Sequence, residues 1–116
     1  MKATIYHNPR CSKSRQTLAL LEEKGVDVEI IEYLKTPPDQ KTLTEILSKL
    51  NINASDLLRK NESAYSELHL ADKSKDTQAL IDAMVKNPIL IERPIVLANN
   101  KAAIGRPPEA VLDILK

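Results

Sequence analysis

The sequence contains no Trp, no Phe and a single Cys at position 11. Aromatics make up only 3% of its 116 residues, so the core must be aliphatic, and the chain lacks the exposed rings on which nucleic-acid bases stack. One cysteine cannot close an internal disulfide, which excludes a disulfide framework and fits a reducing compartment. Only Gly25 and Gly105 are present. That count rules out phosphate-cradling and dinucleotide-binding glycine loops, which need several glycines close together. No charge of one sign dominates: the net value is +1, giving no global field toward nucleic acid or a membrane surface. No apolar run approaches spanning length, and MKATIYHNPR lacks the apolar stretch of a secretory leader. The expectation is a cytoplasmic protein, a monomer, with neither nucleic-acid nor membrane partners.

What is present is an ordinary globular balance, 42% hydrophobic and 28% charged, enough for one domain over residues 1–116. Residues 2–6 read as a strand entering a turn at His7-Asn8-Pro9, and SKSRQTLALLEEKG as a helix stopped by Gly25. Residues 26–34 are rich in β-branched side chains and read as a second strand, parallel to the first. Thr36 is the expected cap of a helix opened by Pro37-Pro38, with a stripe at Leu43, Ile46, Leu47 and Leu50. Residues 51–72 read as short helical turns, and 76–87 as a helix ending before Pro88. Residues 94–98 and 101–104 form an expected hairpin about Asn99-Asn100, followed by a closing helix, EAVLDILK. The order is β-α-β, a helical insert, then β-β-α: a thioredoxin-like α/β fold with a mixed sheet flanked by helices.

The chemistry concentrates in HNPRCSKSR, residues 7–15. It puts Cys11 at a strand-to-helix junction, where unpaired backbone N–H groups and the helix dipole favour a negative charge. Arg10, Lys13 and Arg15, with His7 if protonated, add positive charge, so the Cys11 pKa is expected to fall into a reactive range. The alternative is a buried, inert thiol, for which four polar or cationic neighbours make a poor setting. Ser14 occupies the place of a dithiol enzyme's second cysteine, so redox turnover requires an external thiol.

Arg59, Arg93 and Arg106 each stand beside a turn or proline signal. Guanidinium forks suit tetrahedral oxyanions because they donate parallel hydrogen bonds to adjacent oxygens. The competing reading makes all three ordinary surface arginines. A phosphatase loop needs Cys-x5-Arg, and position 17 is Thr. His7, Cys11 and His69 are too few and too dispersed to hold a metal, and His69 reads as a surface or packing histidine.

HNPRCSKSR, YLKTPP, LLRKNE, LHLAD, NPILIERPIV and GRPPE together, in this order, resemble the ArsC-type, glutaredoxin-coupled arsenate reductases from Ile5 to Leu115. That resemblance implies the thioredoxin-like fold and a cis proline at Pro94, a state adopted by about 5–6% of X-Pro bonds. It implies Cys11 as the catalytic cysteine and His7 as the histidine that influences its reactivity. It also implies Arg59, Arg93 and Arg106 as the arginines that hold arsenate. The implied partners are arsenate or a similar oxyanion, glutathione as co-substrate and glutaredoxin, with no bound cofactor and no metal. Two alternatives stay open. One is an Spx-like regulator that binds RNA polymerase, although that family typically carries a Cys-x-x-Cys switch that Ser14 removes. The other is a glutathione-dependent thiol transferase.

Overall fold

The structure, a computed structural model, describes all residues from Met1 to Lys116. The chain forms two compact units: Met1–Thr36 with Arg93–Lys116, and Pro37–Glu92. The first contains strand β1 (Lys2–His7), helix α1 (Ser12–Glu23), strand β2 (Asp27–Glu32), strand β3 (Ile95–Ala98) and strand β4 (Lys101–Ile104). The strands lie in the order β2-β1-β3-β4. β1 pairs parallel with β2 and antiparallel with β3, and β3 pairs antiparallel with β4. The crossover through α1 is what a parallel β1–β2 pair requires.

Turn chemistry sets this topology. Gly25 has φ +74°, and the N–H groups of Gly25 and Val26 bond the carbonyls of Glu22 and Leu21 at 3.0 and 3.1 Å. This left-handed helix ending turns the chain into β2. Asn99 and Asn100, at φ 52° and 62°, make the two-residue hairpin turn whose twist matches the flanking strands. Arg93–Pro94 is cis, as the resemblance implied, and Arg106–Pro107 is cis as well.

Ala3, Ile5, Leu21, Val96, Ala98, Val111 and Ile114 form the core of this unit. Full burial of a side chain such as Leu21 or Ile5 contributes about 1.5–3 kcal/mol. The closing segment differs from the expected α-helix: Pro108–Ile114 is 3₁₀. Its buried residues, Pro108, Val111 and Ile114, recur every third position, which suits three residues per turn.

The second unit is helical: α2 (Gln40–Leu50), α3 (Ser63–Glu67) and α4 (Thr77–Lys86), with 3₁₀ turns at Ala54–Leu57, Leu70–Lys73 and Pro88–Leu90. Leu43, Ile46 and Leu47 are buried as their spacing required, with Leu80, Ile81 and Met84 of α4. The cap of α2 is Asp39 rather than Thr36, its carboxylate accepting from the Thr42 N–H at 2.8 Å. Pro37, which itself precedes a proline, is pushed out of the helical region and cannot be the first helical residue, so Thr36 has no helix to cap. No helix of the chain is long and apolar enough to cross a membrane.

Candidate active site

Cys11 is the N-cap of α1, with extended backbone angles, so the first N–H groups of the helix face its side chain. The loop from β1 is held by its own polar atoms. The Asn8 carbonyl accepts from Cys11 N–H at 3.0 Å, and the Asn8 side chain accepts from Arg10 N–H at 3.0 Å. Ser14 Oγ accepts from Asn8 N–H, also at 3.0 Å. Arg15 extends back to the Pro9 carbonyl at 2.9 Å.

Cys11 is buried, with 9% of the residue exposed, and its thiol is free. Burial pushes its pKa up. The Ser14 N–H, the Arg93 charge, the Lys13 N–H and the Arg106 charge outweigh it, and the net shift is downward. The direction agrees with the sequence reading, while the sources differ in part. Lys13 acts through its backbone N–H, and the cations that favour the thiolate are Arg93 and Arg106, some eighty or more residues away. Arg106 Nη2 donates to Cys11 Sγ at 3.5 Å, and Arg106 Nε donates to the Arg93 carbonyl at 2.8 Å. One guanidinium thus spans the thiol and the backbone just before cis-Pro94.

Gly105 makes that reach possible. Its N–H donates to the Pro94 carbonyl at 2.9 Å, and a Cβ there would stand 2.8 Å from Pro94 Cγ and collide with Thr17. Only glycine lets β4 close against α1 and the Pro94 loop while delivering Arg106 to Cys11.

His7 is buried at the end of β1, and its Nδ1 lies 2.6 Å from Ser14 Oγ. Burial lowers its pKa, Glu32 opposes that shift, and Arg15 adds to it; the net shift is downward. The lowered pKa favours the neutral imidazole over the cation that the sequence allowed at His7. The structure brings Cys11, His7, Arg93 and Arg106 together in the first unit. Arg59 belongs to the second, where it pairs with Glu62 at 2.8 Å. His69 is exposed, with left-handed backbone angles at φ 54°. No cluster of three or more His, Cys, Asp or Glu side chains could hold a metal ion.

Sequence reasoning missed two contributors. Ser14 was legible only as a missing cysteine, and Asn8 only as a turn residue. Asn ahead of proline does signal a side chain that satisfies nearby backbone groups, but the Ser14 contact needs the strand and helix in register.

This geometry places an activated thiol at a helix N-terminus under an arginine fork, an arrangement able to attack an electrophilic oxyanion. The ArsC family model matches residues 6–114. The chain is 60% identical over 112 residues to the uncharacterized protein YfgD of Escherichia coli strain K12, covering 96% of this chain and 94% of that protein. It is 49% identical over 112 residues to the arsenate reductase of Neisseria meningitidis serogroup A, covering 96% of each. Among solved structures, the arsenate reductase from Vibrio cholerae matches with a TM-score of 0.94 at 48% identity, over 98% of each chain. The fold is the thioredoxin-like one expected from the element order. With the family model matched across nearly its whole length, and relatives of this identity and coverage, the chain belongs to the ArsC family.

Proposed function

We propose that this protein reduces arsenate to arsenite, with the Cys11 thiolate as nucleophile and external thiols as the source of electrons. The observation that carries the reading is the Arg106 guanidinium on Cys11 Sγ, because it joins thiolate stabilisation and oxyanion recognition in one side chain. In the proposed sequence, Cys11 forms a sulfur–arsenic(V) bond and an arsenic oxygen leaves as water. Glutathione then displaces a second arsenic oxygen as water. The glutaredoxin thiol attacks the glutathione sulfur, and the sulfur–arsenic electron pair stays on arsenic. Water cleaves the remaining Cys11–arsenic bond to release arsenite. Two external thiols become a disulfide, arsenic(V) gains two electrons, and Cys11 returns as the thiolate.

Arg93 and Arg106 supply forks beside the sulfur; Arg59 is the third oxyanion-binding arginine that the family resemblance of LLRKN implies. Within its own unit Arg59 is ion-paired with Glu62 at 2.8 Å. His7 supports the loop that carries Cys11. The single cysteine makes an external thiol necessary; glutathione and glutaredoxin are the thiols that the family resemblance implies, and a cytoplasmic setting would supply both.

The test is a comparison of reductants. Purified protein, once oxidised, should form a one-to-one mixed disulfide with glutathione at Cys11, visible as added mass and released by glutaredoxin. Robust arsenate turnover with thioredoxin alone, and none with glutathione and glutaredoxin, would overturn the proposed route.

A further inference from the structure

We propose that Ser14 is a positioning residue for Cys11, its hydroxyl donating to a neutral His7 imidazole and so locking the loop that presents the sulfur. The inference deepens the reading of Cys11 as nucleophile and rests on it.

Ser14 is fully buried in the first turn of α1, and its Oγ has two partners. A hydroxyl carries one hydrogen and two lone pairs. The Asn8 N–H occupies one lone pair at 3.0 Å, and His7 Nδ1 stands at 2.6 Å. Were Nδ1 protonated, two donors would fill both lone pairs, leaving the hydroxyl hydrogen buried without an acceptor, an arrangement that native interiors avoid. The relay is therefore Asn8 N–H to Ser14 Oγ–H to His7 Nδ1, with the imidazole proton on Nε2.

The surroundings agree. The charged groups acting on His7 are Glu32, its register partner on β2, and Arg15 on α1; with burial they leave its pKa lowered. The consequence reaches the sulfur by two routes. The Ser14 backbone N–H is the foremost group favouring the Cys11 thiolate. The Asn8 residue that Ser14 holds also takes the Cys11 N–H on its carbonyl at 3.0 Å. A pinned Ser14 side chain fixes both, so His7 acts on Cys11 through Ser14 and as an acceptor, not as a cation.

Two measurements test this. In protein labelled with 15N-histidine, with His69→Gln for assignment, the His7 shifts near pH 7 should report a neutral ring with the proton on Nε2. A proton on Nδ1, or a doubly protonated ring, overturns the proposal without any change to the site. The second measurement is the rate of Cys11 alkylation by neutral iodoacetamide against pH, which reads the thiolate midpoint without using arsenate. Ser14→Ala should raise the midpoint by about one pH unit, lowering the thiolate fraction about tenfold below both midpoints. His7→Asn, which offers an amide oxygen close to where Nδ1 stood, should stay near wild type, whereas His7→Ala should match Ser14→Ala. A cationic role for His7 predicts instead that His7→Asn fails as badly as His7→Ala. The double variant Ser14→Ala/His7→Ala should be no worse than either single one, since both break one relay; additive losses would contradict the relay. Arsenate reduction surviving Cys11→Ser while these midpoints behave as expected would sink the proposed function alone.

Discussion

Arg106→Ala separates the two roles assigned to this guanidinium. Its Nη2 stands 3.5 Å from Cys11 Sγ, and its Nε is anchored on the Arg93 carbonyl at 2.8 Å, so the fork is already aimed in the free protein. A charge-assisted hydrogen bond contributes about 1.5–3 kcal/mol. Arg106 is exposed, and solvent screening reduces that by roughly half, to about 0.7–1.5 kcal/mol. At 1.36 kcal/mol per pH unit, the Cys11 midpoint should rise by about 0.5–1 unit, slowing alkylation below the midpoint about three- to tenfold. Arsenate should suffer more, because it also loses its fork: a further ten- to hundredfold in kcat/KM is expected. The assay is therefore a pair of rates on one variant, iodoacetamide alkylation against pH and arsenate reduction. Arg106→Lys keeps the charge without the fork, so it should restore most of the alkylation rate and little of the arsenate rate. An unchanged midpoint in Arg106→Ala would refute the electrostatic argument. Equal losses in both rates would leave Arg106 acting on the thiol alone, with no oxyanion role.

Gly105→Ala should destabilise the fold by about 1–3 kcal/mol in denaturant titration, because its Cβ meets Thr17 and Pro94 in a packed region, and it should displace Arg106 and slow arsenate reduction. The depressed pKa of Cys11 makes the unfolded chain bind more protons between the folded value and the ordinary thiol value of about 8.5. The stability this group contributes is thus complete above the unfolded value and lost as pH falls through the folded one. Denaturant midpoints of wild type relative to Cys11→Ala should rise across that window; a flat difference would mean no pKa shift. His7, also depressed, contributes stability present above about pH 6.5 and lost as pH falls through its folded value. Asp76 caps α4 by accepting from Ala79 N–H at 3.1 Å, so Asp76→Ala should cost about 0.5–2 kcal/mol by thermal unfolding.

Elements with a local physical signature were legible from residues alone. Gly25, the Asn99-Asn100 turn and the Leu43–Ile46–Leu47 stripe each encode their geometry within a few positions, and all three formed as read. The Thr36 cap was misread because two prolines in succession push the helix start beyond them, to Asp39. The closing helix was misread because hydrophobic spacing in eight residues does not separate three residues per turn from 3.6.

The site was legible in its centre and not in its electrostatics. The position of Cys11 at a helix start, and the resulting fall in its pKa, needed only local sequence. The cations that act on the sulfur did not: neighbours in sequence such as Arg15 turn to backbone carbonyls, while Arg93 and Arg106 arrive through pairing of β1, β3 and β4. His7 likewise depends on tertiary burial, which lowers its pKa and so disfavours the charged ring. Ser14 gained its part only when β1 and α1 were placed side by side.

The central claim is that a lone thiolate performs arsenate reduction with borrowed thiols. Arsenite formation from arsenate, measured with purified protein, glutathione and glutaredoxin, tests it most directly. Wild type should turn over repeatedly, Cys11→Ser should give no arsenite above the protein-free background, and omission of either thiol partner should stop the reaction. Arsenite formation by Cys11→Ser at the wild-type rate, or none from wild type with both partners present, would contradict the account.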